Sequence, residues 1–299
     1  MNYLSHLGVF VALYAIVALS LNLLVGYAGR LTLAHAAFFG IGAYTYALLT
    51  VCLHWGLLAS LAGAAFGSAL SSLVIAIPAV RFRSDIFVIL SLAVQGSIFS
   101  LIYGWGSFDS PLGTWRNLTN GALGVSGITV PSLRGYVLDS PTHFLVLVVP
   151  VAIGTAVAIS VLLSSPWGRM IRAVRDDAVA AAGLGKSLIR ADTEAFLIAS
   201  GFVGVAGGLF AAYMRFVDPT IASVDQSMLL LTMVLIGGVS PWLGPVLGAT
   251  VLVLLPEGLR FAHISGPHAA NVRLLLYGVA IVVMMQTRGR GLASKERVE

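Results

Sequence analysis

The stretch LSLNLLVGYAGRLTLAHAAFFGIGAY, residues 19–44, indicates the class of protein to which the whole chain belongs. It is apolar almost throughout, and Arg30 is its only charged residue. The same balance holds over all 299 residues, of which 58% are apolar and 10% are charged. An ordinary soluble domain has roughly 25% charged residues. So few polar side chains cannot cover a globular surface, and we therefore predict an integral membrane protein.

Charge and cysteine content exclude further classes of protein. The net charge is +5, but the basic residues cluster in loops between apolar segments. That distribution is typical of membrane topology rather than of nucleic-acid binding. Cys52 is the single cysteine, so no intrachain disulfide can form and no redox role is expected. The 33 glycines suit membrane helices that pack closely.

The apolar segments predict an all-α fold, a polytopic bundle of about nine transmembrane helices. A bilayer core about 30 Å thick needs roughly 20 residues of helix to cross it. On that measure the predicted spans are 5–25, 34–54, 56–79, 86–104, 143–164, 194–214, 227–239, 242–261 and 273–287. The segment 227–239 is short for a crossing, and a re-entrant segment near 26–40 would change the number of spans.

The Lys and Arg residues predict the orientation, because they favour the cytoplasmic side. With the N-terminus outside and the C-terminus inside, the inner segments hold twelve of the seventeen basic residues. Residues 1–299 then form a single transmembrane domain with an external loop at 105–142, a cytoplasmic loop at 165–193 and a cytoplasmic tail at 288–299. No soluble domain is predicted, so any energy source must come from other chains or from an ion gradient.

The segment AAAGLGKS, residues 180–187, is similar to a phosphate-binding loop but lacks its first glycine. The motif G-x-x-x-x-G-K-[ST] follows a strand and opens a helix. Here Ala180 replaces the first glycine, and the residues before it predict a helix. We therefore predict no nucleotide site, and we expect no catalytic residue, no metal site and no cofactor bound by this chain.

Polar side chains within the predicted spans are candidates for a translocation path. Asn22, His35 and Gln95 are costly to place in lipid and are expected to face a cavity or to bond between helices. Both alternatives stay open, and we group Phe39 with these candidate path residues. Three carboxylates fall near span ends: Asp85, Glu194 and Asp225. Their position weakens, without excluding, a carrier driven by an ion gradient.

Glycine-rich breaks mark two apolar regions. The first break contains Gly26, Gly29, Gly40 and Gly42, and the second contains Gly237, Gly238, Gly244 and Gly248 with Pro241 and Pro245. Irregular backbone at membrane depth is tolerated only where protein or a water-filled cavity covers it. The breaks therefore predict a translocation path, with close helix packing as the alternative.

The loop 165–193 holds the densest polar pattern. Its first half carries one run of charges: Arg169, Arg172, Arg175, Asp176 and Asp177. A basic stripe beside a membrane can serve simply to anchor the chain to anionic headgroups. The alanine-rich segment 178–182, ended by Gly183 and Gly185, instead predicts a short helix suited to a groove on another protein. We predict that this loop docks a cytosolic partner.

These motifs resemble the permease subunits of branched-chain amino acid ABC importers, in particular those of the LivM type. The strongest likeness is in residues 19–44, close to the N-terminal signature of that family. A second runs over residues 168–185, where the family has its cytoplasmic coupling segment. A third covers GGVSPWLGPVLGA, residues 237–249, followed by LLPE at 254–257. The resemblance covers nearly the whole chain.

The resemblance implies the permease subunit of an ATP-driven importer of branched-chain or other hydrophobic amino acids in the bacterial inner membrane. Its implied partners are a second homologous permease, two cytosolic ABC ATPase subunits that carry ATP and Mg, an extracytoplasmic amino-acid-binding protein, and membrane lipid. The implied coupling residues are Arg172, Arg175, Asp176, Asp177, Val179, Ala180, Ala181, Leu184 and Gly185. ATPase closure would push this segment and switch the path from outward-open to inward-open. The chain itself would perform no bond chemistry.

The chain departs from the family pattern at positions that bear on coupling and substrate. Ala178 and Ala182 stand where many relatives have acidic residues, so contact with an ATPase would depend more on shape than on charge. In the fourth span, Gln95 or Gly96 stands where relatives often carry a glutamate. Urea and short-chain amide importers have similar permeases and stay open as alternatives. An ion-coupled carrier and a membrane scaffold without transport also stay open.

Overall fold

The computed structural model describes residues 2–261, except 80, 81, 83, 108, 134, 135 and 239–241, together with residues 278 and 279. Within these ranges the chain is a helix bundle, as the all-α prediction requires. Its α-helices are α1 (Asn2–Asn22), α2 (His35–Val51), α3 (Leu57–Ala79), α4 (Ser84–Gly104), α5 (Pro141–Ser164), α6 (Pro166–Asp176), α7 (Ala178–Gly183), α8 (Leu188–Met214), α9 (Val224–Gly237) and α10 (Leu243–Phe261).

Eight of the predicted spans correspond to helices. Those long and apolar enough to cross a bilayer are Tyr3–Tyr27, Leu57–Ala79, Asp85–Gly104, Pro141–Ser164 and Leu188–Met214. Three shorter apolar helices are His35–Val51, Val224–Gly237 and Leu243–Glu257. The ninth predicted span, 273–287, and the tail 288–299 lie outside the described residues, apart from 278 and 279. The number nine and the orientation therefore stay predictions.

The helices α1 and α8 lie at the centre of the bundle. In their most apolar stretches 72% and 67% of the residues are buried, against 22% for α4 and 17% for α5. The exposed face of α5 carries Val146, Ile153, Val157 and Val161, which are suited to lipid. The apolar surface of the peripheral helices therefore supports a bundle surrounded by acyl chains.

Glycines hold α2 against α8 at close range. A Cβ atom added at Gly42 would lie 2.5 Å from the Cα of Gly204, and one added at Gly207 would lie 2.2 Å from the carbonyl oxygen of Phe39. Such contacts let two backbones approach as they do in other membrane helices. Gly40 and Gly42 lie inside α2, so the prediction that they interrupt a helix is wrong.

The first span ends in a return segment. Residues Leu23–Tyr27 continue α1 as a π-helix, and Gly29 then adopts a φ of +68° that turns the chain back. His35, which begins α2, places its Nε2 atom 2.8 Å from the Oγ atom of Ser20, seven residues before Tyr27. At 1.5 Å per residue, α2 starts about 10 Å inside the end of the first span. Residues 28–34 therefore turn the chain back into the bundle, and a re-entrant segment in the membrane at this place stays a prediction.

The bundle has two chemically different faces. The basic face holds Arg30, the loop that contains α6 and α7, and the start of α8. The loop face, at the other ends of the helices, holds residues 105–140 and the chain after α8. Its short strands are β1 (Val125–Ser126), β2 (Ser132–Leu133), β3 (Tyr136–Val137) and β4 (Phe216–Val217). β1 pairs with β4 and β2 with β3, both antiparallel, so strand pairing joins the long loop to the end of α8.

Candidate functional site

The helix α6 is fixed to the basic face by a sharp turn after α5. The Oγ atom of Ser165 accepts a hydrogen bond from the backbone N–H of Gly168 and caps the helix. A Cβ atom at Gly168 would lie 2.3 Å from the carbonyl oxygen of Leu163, so the turn requires glycine. Ile171 and Val174 are buried beneath the helix. The amphipathic pattern thus lays α6 along the bundle rather than away from it.

The arginine run donates hydrogen bonds to backbone carbonyl groups of the bundle. Arg169 donates to the carbonyl oxygen of Ser164 and Arg172 to that of Leu163, two of the last carbonyls of α5. Arg175 donates to the carbonyl oxygen of Gly26 at 2.7 Å and also pairs with Asp176. These guanidinium groups therefore link the loop to the first and fifth spans, a role that the sequence alone did not indicate.

The helix α7 is a short, well-capped projection. Oδ1 of Asp177 accepts hydrogen bonds from the N–H groups of Val179 and Ala180, both at 2.9 Å. At its other end Gly185 has a φ of +77°, and the N–H groups of residues 185 and 186 bond back to the carbonyl groups of residues 182 and 181. This is the Schellman arrangement that commonly ends a helix. The glycine-lysine-serine sequence thus serves a helix end and does not follow a strand, as a phosphate loop would.

Two apolar side chains on this projection are almost fully exposed. Val179 is 83% exposed and Leu184 is 81% exposed, whereas Ala181 is only 4% exposed and seats the helix on the bundle. The predicted residues Ala180 and Gly185 also lie on the exposed side. Both side chains are therefore available for contact with another protein. We call residues 177–185 the projecting segment.

A buried ion pair ties the return segment to α8. The guanidinium of Arg30 donates to both carboxylate oxygens of Asp192, at 3.2 and 2.6 Å. The Asp192 side chain is 2% exposed and that of Arg30 is 20% exposed. The same end of α8 accepts a hydrogen bond at Glu194 from the indole N–H of Trp167 in α6. The basic face is therefore cross-linked from the first span through α6 to α8.

Replacing Asp192 with alanine is expected to lower the free energy of unfolding by about 2–3 kcal/mol. Removing one partner of a buried pair costs roughly 3–5 kcal/mol, and partial exposure of Arg30 reduces that cost. Thermal unfolding in detergent measures the change. In the double variant Arg30→Ala, Asp192→Ala the loss should be smaller than the sum of the two single losses. Additive losses would contradict the ion pair.

The predicted polar residues meet at the beginning of α2. Oε1 of Gln95 accepts a hydrogen bond from the N–H of Ala37 at 2.9 Å. Ser227 of α9 accepts one from Ala36 at 3.2 Å, and Ser91 of α4 accepts one from residue 33 at 3.0 Å. Side chains of two other helices thus satisfy the orphan N–H groups that a helix start leaves inside a bundle.

The remaining candidate path residues are buried beside this junction. Asn22 is 0% exposed, His35 is 1% exposed and bonds to Ser20, and Phe39 packs its ring against Phe210. His35 and Gln95 therefore make the bonds between helices that the sequence offered as one alternative. A role for these residues in a translocation path stays a prediction.

The second glycine break forms the contact between α9 and α10. Added Cβ atoms at Gly237 and Gly244 would lie 2.0 and 2.1 Å from carbonyl oxygens across this contact, and one at Gly248 would lie 1.8 Å from the carbonyl oxygen of Met233. Gly238 has a φ of +82° and ends α9. Pro241 lies outside the described residues. These glycines provide close helix packing, and their place in a path stays a prediction.

The depth of one carboxylate does not follow from its place near a span end. Asp225 stands at the start of α9, but Gln226 and Ser223 beside it bond to the middle of α1 and of α4. Asp225 does lie near the end of a predicted span, in the first turn of α9, but that helix end lies level with the middle of α1 and α4. An ionised carboxylate at the centre of a bilayer costs about 2.5–3.5 kcal/mol on insertion scales, so such a position calls for a partner or water.

Comparison with known proteins places the chain in a family. The family described as "Branched-chain amino acid transport system / permease component" matches residues 3–285. The high-affinity branched-chain amino acid transport system permease protein LivM of Salmonella typhimurium is 30% identical over 95% of this chain and 68% of its own length. The protein of that name from Escherichia coli gives the same values.

A more distant relative extends the match. The probable branched-chain amino acid transport permease protein LivM of Methanocaldococcus jannaschii is 23% identical over 99% of this chain and 95% of its own length. No solved structure matches. The family match spans nearly the whole chain and includes α1, the projecting segment and the α9–α10 contact. The chain therefore belongs to the family of branched-chain amino acid transport permeases.

Proposed function

We propose that this chain is the permease subunit of an ATP-driven importer of branched-chain or other hydrophobic amino acids. The observation that carries the proposal is the projecting segment, whose exposed Val179 and Leu184 have the form of an apolar plug for another protein's groove. Two cytosolic ATPase subunits supply those grooves. ATP and Mg are bound by the ATPases and not by this chain.

The contacts of α6 provide a route from the ATPases to the path. Arg172 and Arg169 connect α6 to α5, Arg175 connects it to the first span, and Trp167 connects it to α8. A push on the projecting segment is thereby passed to three spans at once. In this mechanism the first span and α8, at the centre of the bundle, tilt together and switch the path from outward-open to inward-open.

The assembly that we propose has a second homologous permease beside this chain and an amino-acid-binding protein on the loop face. The basic face is cytoplasmic and the membrane is the bacterial inner membrane. The names of the relatives support branched-chain amino acids as cargo. Urea or short-chain amides remain the alternative substrates of such an importer. A carrier driven by an ion gradient remains the alternative type of transporter.

Purification of the tagged chain from its native membrane in mild detergent tests the assembly. We expect ATPase subunits and a second permease to accompany it, with ATP hydrolysis that an amino-acid-loaded binding protein stimulates. A complex that keeps its second permease but contains no ATPase would contradict the proposal and favour the ion-driven carrier.

Thiol labelling tests the orientation. Cys52 is exposed near the end of α2 on the loop face. We expect a membrane-impermeant maleimide to label it from outside intact cells. In a Cys52→Ser background, a Ser187→Cys variant should react only in inside-out vesicles, because residue 187 lies on the basic face. Labelling from the opposite sides would contradict the orientation.

A further inference from the structure

The start of α9 lies level with the middle of the bundle. Nε2 of Gln95 donates to the carbonyl oxygen of Ser223 at 3.2 Å, and the two ends of α4 lie 11 and 9 residues from Gln95. Nε2 of Gln226 donates to the hydroxyl oxygen of Tyr14 at 2.9 Å, and Tyr14 lies 12 and 13 residues from the ends of the first span. Asp225 stands between these two anchored residues. Contacts with two separate helices therefore place Asp225 at the same depth, near the middle of the bundle.

The side of α9 that carries Asp225 is not covered by the described chain. Asp225 is exposed, as is Met228 one turn further along, which is 51% exposed. Residues three apart share one face of a helix. Among the described residues Asp225 has no ion pair, although its neighbours on both sides are anchored.

An ionised carboxylate at this depth is strongly disfavoured against acyl chains. Charged groups within membrane spans almost always face a bundle interior or a water-filled cavity. The Asp225 face is consequently directed at a polar space that this chain forms together with its surroundings. In the proposed assembly of two permeases, the space between the two subunits would be such a polar space, and the substrate would pass through it.

We propose that Asp225 binds the α-ammonium group of the amino acid as it passes through the membrane. This inference rests on the proposed function. An amino acid at neutral pH carries one ammonium group, and a carboxylate is the matching charge-assisted acceptor. Met228, a flexible apolar side chain on the same face, contacts the aliphatic side chain of the substrate. Urea has no cationic group, so Asp225 selects for amino acids over urea at this point.

Asp225→Asn is the direct test, because asparagine keeps the shape and removes the charge. The whole complex is reconstituted in vesicles with a leucine-loaded binding protein, and leucine uptake and ATP hydrolysis are measured together. We expect about a tenfold fall in leucine transported per ATP, as for loss of one charge-assisted hydrogen bond. The stimulated ATP hydrolysis should stay within about twofold, because α7 and its contacts are unchanged.

Two further variants control the experiment. Asp225→Glu keeps the charge on the same face and should restore most of the leucine transported per ATP. Asp218→Asn removes a carboxylate of the same returning chain whose partner is the hydroxyl of Thr220, and it should transport as the natural protein does. Recovery of the second permease with each variant shows that assembly is intact.

Three outcomes would overturn the assignment. Unchanged leucine transport per ATP by Asp225→Asn would show that no ammonium group binds there. Loss of the second permease from that variant would show that Asp225 holds the subunits together instead. Leucine flux through the natural complex that needs a proton gradient and no ATP, and is lost in Asp225→Asn, would make Asp225 a proton site. Absence of ATPases from the natural complex would overturn the proposed function itself, independently of Asp225.

Discussion

Gly248→Ala is expected to lower the free energy of unfolding by about 3 kcal/mol and to abolish transport. The added Cβ atom would lie 1.8 Å from the carbonyl oxygen of Met233, and a backbone atom cannot rotate away as a side chain can. Overpacking usually costs about 1–3 kcal/mol, and a backbone contact lies at the upper end of that range. Separation of α9 from α10 would also move the Asp225 face. Thermal unfolding in detergent and uptake in vesicles measure the two effects.

Gly154→Ala is the matched control for this variant. Gly154 also lies within an apolar helix, α5, but an added Cβ atom there meets no atom within 4 Å. Alanine favours a helix by about 1 kcal/mol over glycine, so this variant should be unchanged or slightly more stable. Equal melting temperatures for the two variants would show that the α9–α10 contact is not as close as described.

Replacing both Val179 and Leu184 with glutamate is expected to reduce ATP-driven uptake at least about a hundredfold, as for loss of a central hot spot in an interface. Both side chains are exposed by more than 80%, so the chain should fold normally and remain in the membrane. In the assembly that we propose, the charges would have to enter an apolar groove of an ATPase subunit, which is costly without a partner. Co-purification of the ATPases and uptake of labelled leucine measure the result.

The control for this variant lies at the opposite end of the bundle. Leu123 is 57% exposed on the loop face, and Leu123→Glu makes the same chemical change there. It should keep the ATPases bound. Normal uptake in the Val179→Glu, Leu184→Glu variant would remove the projecting segment from the coupling mechanism.

Long apolar segments were predictable because their pattern depends on local composition alone. The spans that became α3, α4 and α5 begin within two residues of their predicted starts. The start of α8 was placed six residues late, because the turns from Leu188 to Asp192 are polar on one side and contain the Arg30 partner. A hydropathy argument cannot detect a helix that leaves the apolar layer but continues.

The depth of α9 was not predictable, because it depends on contacts distant in sequence. Its start is drawn to the bundle centre by Gln95 and Tyr14, each more than 100 residues away. The sequence identified Gln95 as unusual from its polarity, but not as the acceptor and donor that joins α2 to the chain before α9. Asp225 was consequently judged from its place at the end of an apolar segment, which gives no information on depth.

In the loop 165–193, the short helix was predictable from composition, but the contacts of the arginine side chains were not. The sequence indicated a small-residue helix with glycine at its end, and the structure has one between Asp177 and Gly185. The arginine run was interpreted as a surface feature for lipid or a partner. Arg172 and Arg175 instead donate hydrogen bonds to backbone carbonyl groups of the bundle. These contacts were not predictable because they depend on how the backbone folds around the two side chains.

Uptake of labelled leucine and labelled urea by vesicles that contain the purified complex tests the central claim most directly. The assay is run with and without ATP and with a loaded binding protein. We predict accumulation of leucine that requires ATP and the binding protein, with no uptake of urea. ATP-dependent uptake of urea but not of leucine would support an ATP-driven importer and contradict branched-chain amino acids as its substrate. Leucine uptake driven by an ion gradient without ATP would contradict the claim that this chain is the permease of an ATP-driven importer.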